Sequence, residues 1–109
     1  QAYKYLNIYT FGYKIMNTNF DIEFLEDVTE KLKAVAHPIR FVMIDLLYHE
    51  KELSVTEIHE KLQIEQAVAS HHLRILKNQD IVKVNRDGKN SYYSLANKNF
   101  YQIVTAMSN

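Results

Sequence analysis

The chain has 109 residues and a formal net charge of zero; 47% of it is apolar, with 2 glycines, 1 proline and no cysteine. That suffices for one domain with a modest core, and it excludes a disordered chain and disfavours a loop-rich or all-β fold. The missing cysteine excludes disulfides, thiolate metal sites, iron–sulfur clusters and thiol redox sensing, and points to the cytoplasm.

Residues 1–15 are Tyr-rich and differ in composition from the rest of the chain. They do not read as a secretory signal, and no apolar run in the chain approaches the roughly 18 residues of a membrane span. Met16 looks like a natural start. The expected organisation is an N-terminal extension, of upstream or vector origin, at 1–15 and one domain at 16–109.

From Asp21 to about Ala36, Leu25, Val28, Leu32 and Val35 recur at steps of three and four, a helical stripe. Pro38 suits the first turn of a second helix, with His37 at its cap and Ile39, Met43, Leu46 and Leu47 on its inner face. "LSVTEI" (53–58) holds a capping box, Ser54 with Glu57, and a staple, Leu53 with Ile58. The third helix is short, with Val55, Ile58 and Leu62 as its buried stripe. About three residues later a fourth begins near Gln66 and runs to about Asn78. Two helices so joined are the helix-turn-helix arrangement.

The fourth helix has two distinct faces. At roughly 100° per residue, Ala69, His72, Leu73 and Leu76 fall on one side. Gln66, Ala67, Ser70, Arg74 and Lys77 fall on the other, with His71 at its edge. That second face is small, polar and basic, suited to phosphates and base edges. After it, "IVKVN" (81–85) and "SYYSL" (91–95) read as strands around an Asp87-Gly88 turn, with Arg86 and Lys89 beside the tip. A final helix, opened by Asn97, carries Phe100, Ile103, Val104 and Met107 on one face. A terminal helix with little left to cover suggests a dimer face; a core stripe is the alternative.

Charge is unevenly spread. Residues 16–65 carry five Lys/Arg against eleven Asp/Glu, whereas residues 66–109 carry six against two. The basic segment is either a nucleic-acid footprint or a solvated surface.

The order of elements and three stretches, "LKAVAHPIRFVMIDLL" (32–47), "ELSVTEIHEKLQIEQAVASHHLRILKNQDIV" (52–82) and "RDGKNSYYSL" (86–95), resemble the ArsR (arsenical-resistance repressor) family of winged helix-turn-helix regulators. The resemblance implies a mainly α fold with a small β-hairpin, and a homodimer built on the first and last helices: Leu25, Val28, Leu32, Phe100, Ile103, Val104 and Met107. It implies a double-stranded DNA operator as partner. Gln66, Ala67, Ser70, His71 and Arg74 would then face bases, and Lys77, Arg86 and Lys89 would neutralise phosphates. The departures concern sensing. Ser54 and Thr56 stand where metal-responsive members carry Cys-x-Cys, and residues 97–109 hold no His and no acid for the terminal-helix zinc site. Gln63 and Glu65 replace the Gly or Asn and the Ser often found in the turn.

The histidines fit neither a metal nor a catalyst. His71 and His72 point about 100° apart, and neither has a ligand three or four residues away. No third group positions a nucleophile. His72 is expected to be a partly buried, locally hydrogen-bonded core histidine and His71 a DNA-facing one. Asp45, His49 and Glu52 have helical spacing but read as a solvated cluster, and His59 as surface. The expected function is a sequence-specific DNA-binding repressor, not an enzyme, with no cofactor and no membrane partner. The rival is a winged-helix module that docks on protein, for which exposed apolar anchors would be required on the fourth helix.

Overall fold

A computed structural model of the chain describes residues 7–11 and 14–108. It divides into two compact units, residues 1–32 and 33–109. Of the expected N-terminal extension, residues 1–6, 12 and 13 lie outside the described residues.

In the first unit β1 (Asn7–Phe11) and β2 (Lys14–Thr18) form an antiparallel hairpin, with Asn7 opposite Thr18 and Phe11 opposite Lys14. The second strand crosses the expected 15/16 boundary. Helix α1 (Ile22–Val35) comes next. Asp21 caps it: Oδ1 accepts the Phe24 N–H at 2.8 Å, satisfying one of the amides that a helix start leaves without a partner.

The second unit contains α2 (Pro38–Glu50), β3 (Glu52–Ser54), α3 (Val55–Leu62), α4 (Gln66–Asn78), β4 (Val82–Asp87), β5 (Asn90–Leu95) and α5 (Asn99–Ala106). The mainly α fold with a small hairpin is the expected one. The sheet has a third strand, however, in the order β3-β5-β4, all antiparallel. Three residues are too few to show strand alternation, so β3 left no pattern in the sequence. Leu53, expected only as a staple residue, also sits opposite Tyr93 in the ladder and is buried.

The core gathers Met43, Ile44 and Leu47 from α2, Ile58 from α3, Ala69, Leu73 and Leu76 from α4, and Ile81 and Val82 at the start of β4. Ala34 and Val35 add to it from the end of α1. On α2 the buried arc differs from the expected one. Ile44 is fully buried, while Ile39 and Leu46 are half-buried. Helix α2 packs on α4, α5, β3 and β5 together, so it is enclosed over more than one stripe. On α3, Ile58 is buried, and Val55 and Leu62 are half-buried against the core. The stacked rings of Tyr48 and Tyr101, 3.7 Å apart at 6°, hold α5 to α2.

The α3–α4 turn is tight and locally strained. Gln63 takes the left-handed conformation, φ 56° and ψ 46°, and its N–H reaches the Glu60 and His59 carbonyls. A side chain at such φ costs about 1 kcal/mol or more. His59, expected at the surface, braces this turn: Nδ1 lies 3.2 Å from the Ile64 carbonyl.

His72 is the buried polar residue among those described, 7% exposed on the inner face of α4. The sequence suggested local hydrogen bonds. Its partner instead lies 32 residues back on α2: Arg40 Nη1 is 3.4 Å from His72 Nδ1. The His37 ring lies against it, centroids 4.4 Å apart. His37 is also the expected cap of α2, its Nδ1 accepting the Ile39 N–H at 3.1 Å. Desolvation, then the neighbouring His37, Arg40 and His71, hold the His72 pKa below the usual histidine value.

Both the strained turn and the buried histidine have measurable effects on stability. Gln63→Gly should stabilise the chain by up to about 1 kcal/mol, because glycine takes the left-handed conformation without strain; an unchanged or lower urea midpoint would refute this. For His72, the folded chain resists a proton that the unfolded chain accepts near pH 6.5. Its contribution is therefore complete above about pH 6.5 and declines as the pH falls below that value. His72→Gln should flatten the fall in urea midpoint between about pH 7.5 and 5.5. Equal slopes in the two proteins would show that His72 is not held neutral.

Candidate nucleic-acid interface

Helix α4 is set up by α3, on which it packs. The capping box of α3 is complete: Ser54 Oγ accepts the Glu57 N–H at 3.1 Å, and Glu57 Oε1 accepts the Ser54 N–H at 3.0 Å. The backbone N–H and hydroxyl of Ser54 hold the Glu57 carboxyl below its usual pKa. At the start of α4 Glu65 occupies the cap and makes no side-chain cap hydrogen bond, so this helix begins without that local support.

The two faces of α4 separate cleanly. Ala69, His72, Leu73 and Leu76 are buried. Gln66, Ala67, Ser70, His71, Arg74 and Lys77 are all exposed. One helix surface thus presents amide, hydroxyl, imidazole, guanidinium and ammonium groups together, the donors that meet phosphate oxygens and base edges.

The hairpin of β4 and β5 projects two more cations, Arg86 and Lys89, both exposed. Its last pair is Asp87 with Asn90, so the loop residues are Gly88 and Lys89. The expected turn at Asp87-Gly88 is therefore displaced by one position. Gly88 has φ 63°, the conformation required at the first position of a two-residue hairpin loop with glycine there. Lys89 stands at the tip itself. Arg86 is less free, since Nη1 donates to the Oγ of its cross-strand partner Ser91 at 3.3 Å.

Arg40 lies within "HPIR", where the sequence alone assigns it no role. It reaches His72 on α4, and its Nε is buried with no hydrogen-bond partner among the described residues. No local pattern signals this contact, because it joins two helices far apart in the chain.

The expected dimer residues are partly accessible. On α1, Leu25 and Val28 are half-buried and Leu32 is 49% exposed. On α5, Phe100 and Val104 are half-buried against the core, Ile103 is half-buried, and Met107, just past the helix, is 64% exposed. The α5 stripe therefore serves the core in part. Asn97 does not cap that helix directly; Lys98 holds the cap position, and Asn97 Oδ1 accepts the Asn99 N–H at 2.8 Å. Asp45 and His49 pair at 3.4 Å, but Glu52 lies in β3 rather than on their helix. Among the described residues no group of three or more His, Asp or Glu is placed to hold a metal ion. No helix among them is long and apolar enough to cross a membrane.

Residues 37–84 match the family described as bacterial regulatory protein, arsR family. The chain is 37% identical over 84 residues to the transcriptional repressor PagR of Bacillus anthracis, covering 77% of this chain and 84% of that protein. It is 38% identical over 78 residues to a cadmium resistance regulatory protein CadC homolog of Staphylococcus aureus, spanning 64% of that protein's length. The crystal structure of PagR superimposes with a TM-score of 0.72 over 80% of this chain and 99% of that one, at 36% identity. A solution structure from Mycobacterium bovis, described as a homodimeric winged helix-turn-helix DNA-binding domain, gives 0.70 over 79% of each chain, at 27% identity. The fold is thus the winged helix-turn-helix, and the chain belongs to the arsR family of bacterial regulatory proteins.

Proposed function

We propose that the protein is a dimeric, sequence-specific DNA-binding repressor of transcription, acting in the cytoplasm on a double-stranded operator. The observation that carries this reading is the division of α4 into a buried apolar side and an exposed face of donors, beside a hairpin tipped by Lys89. In this reading α4 enters the major groove, where Gln66, Ala67, Ser70, His71 and Arg74 meet bases. Lys77, Arg86 and Lys89 meet phosphates. The outer face of α4 has no large apolar anchor of the sort a protein-docking surface would use.

The relatives support the same reading. PagR is a named repressor, and the M. bovis neighbour is a homodimer. The apolar stripes of α1 (Leu25, Val28, Leu32) and of α5 (Phe100, Ile103, Val104, Met107) are each proposed as surface for a second copy. Sensing through thiolates is absent from the proposal, since the chain has no cysteine and carries Ser54 and Thr56 at the start of α3. Neither α4 nor the hairpin supplies a nucleophile with a base and an orienting third group, so no enzymatic activity is proposed.

A dimer should scatter light as twice 12.9 kDa at micromolar concentration. Ile103→Glu should shift it toward monomer, because the interface would bury an unpaired carboxylate. A wild-type monomer persisting on concentration would refute the dimer.

Arg74 and Lys89 should differ in what they contribute. Arg74→Ala should cost roughly 1–3 kcal/mol on the selected operator and much less on scrambled duplex. Lys89→Ala should weaken both about equally, and lower the slope of log K against log salt by about two per symmetric dimer. The operator is first selected from random duplexes with the purified protein. If Arg74→Ala and an Arg86→Ala/Lys89→Ala variant both bind like wild type, the DNA-binding reading fails and protein docking replaces it.

A further inference from the structure

A cavity of about 200 Å³, with no residue of α4 in its lining, opens where α2 ends, β4 begins and α5 starts. Leu47 and Leu95 line it as apolar surface, with Tyr48 and Ser94 beside them. Three lysines, Lys51, Lys83 and Lys98, complete the wall, and no lining residue is acidic.

Each lysine is brought there by a different local feature. Lys51 terminates α2 with φ 74°, its N–H bonded to the Leu47 carbonyl at 3.0 Å, and its Nζ lies 5.8 Å from the centre of the Tyr48 ring. Lys83 is the cross-strand partner of Ser94. Lys98 is the cap residue of α5. Among the described residues none of the three forms an ion pair. Glu52 shares the cross-strand row of Ser94 and Lys83 but does not line the cavity. Glu50, beside Lys51, is 3.8 Å from Lys61 instead. Tyr48 stacks on Tyr101, which supports one wall of the space.

Three lysines with no acidic residue among the lining make the space electropositive and favour an anion there. The leucines and the tyrosine ring ask for carbon, which an inorganic ion does not supply. The volume falls below the roughly 300–1,000 Å³ of drug-sized sites, which limits the guest to one ring or a short chain. We propose that this cavity binds a small organic anion. Its carboxylate or phosphate is neutralised by Lys51, Lys83 and Lys98, and its compact apolar body rests on Leu47, Leu95 and Tyr48. The inference does not depend on the DNA-binding reading, because its ligand titrations use the chain alone.

The test is calorimetric titration of the full chain with benzoate, hexanoate and phenyl phosphate, with inorganic phosphate and benzyl alcohol as head-only and body-only controls. At least one amphiphilic anion should bind with one site per chain, about tenfold or more tighter than either control. Lys83→Gln/Lys98→Gln should abolish that preference with an unchanged circular dichroism spectrum. Leu95→Ser, which keeps the lysines, should weaken the organic anion and leave inorganic phosphate where it was. Absence of saturable binding up to about 10 mM for all three anions would overturn the proposal. So would inorganic phosphate binding as tightly as phenyl phosphate, or binding indifferent to the lysine variant. A loss of DNA affinity in the ligand-free lysine variant would assign these lysines to the nucleic-acid backbone and would also overturn it.

Discussion

Four side chains of α4 meet the core almost dry: Ala69, Leu73 and Leu76 at 0% exposure and His72 at 7%. Full burial contributes about 1.5–3 kcal/mol for each leucine. The same burial fixes the helix about its axis. A shift of one residue turns a helix by about 100° and would carry Arg74 and Lys77 into the core positions of Leu73 and Leu76. Removing such cations from water without partners costs several kcal/mol. The outward presentation of Gln66, Ser70, His71, Arg74 and Lys77 is therefore a consequence of the core, since nothing on the outer face enforces it.

His72 is the exception within that dry face, and it ties α4 to α2. Its ring meets Arg40 and His37, and His37 is at the same time the cap of α2. The arrangement favours the neutral imidazole, because a proton on His72 would place a second positive charge beside Arg40 in a site shielded from solvent. A buried polar contact of this sort constrains position as well as energy. It fixes where the middle of α4 sits against the first turn of α2.

Local support for the helix-turn-helix is uneven. Helix α3 starts on a full capping box, whereas α4 starts on Glu65 with no side-chain cap, and Gln63 sits at positive φ between them. Each of the two departures costs on the order of 1 kcal/mol. His59, reaching the Ile64 carbonyl, returns part of this locally. The remainder comes from burial of Ile58, Leu73 and Leu76, so the geometry of the turn is held by the core more than by its own residues.

What the sequence determined by itself is what repeats or signals within a few residues. Ser54-Val-Thr-Glu57 announced the start of α3, the three- and four-residue steps of Ala69, His72, Leu73 and Leu76 separated the faces of α4, and Asp87-Gly88 marked the hairpin. Those signals act through bonds and periods of one helical turn or one pleat, so they survive without tertiary context. The stretches "AHPIR", "SHHLRIL" and "YYSL" carried the family resemblance on the same local scale. Tertiary structure alone decided the rest. It made a strand of Glu52–Ser54, because a three-residue strand exists only through its ladder to Tyr92, Tyr93 and Ser94. It gave His72 a partner 32 residues away, widened the buried arc of α2 to include Ile44, and gathered Lys51, Lys83 and Lys98 around one cavity. Each of these joins residues whose separation along the chain has no period, and only the closing of the core brings them within reach.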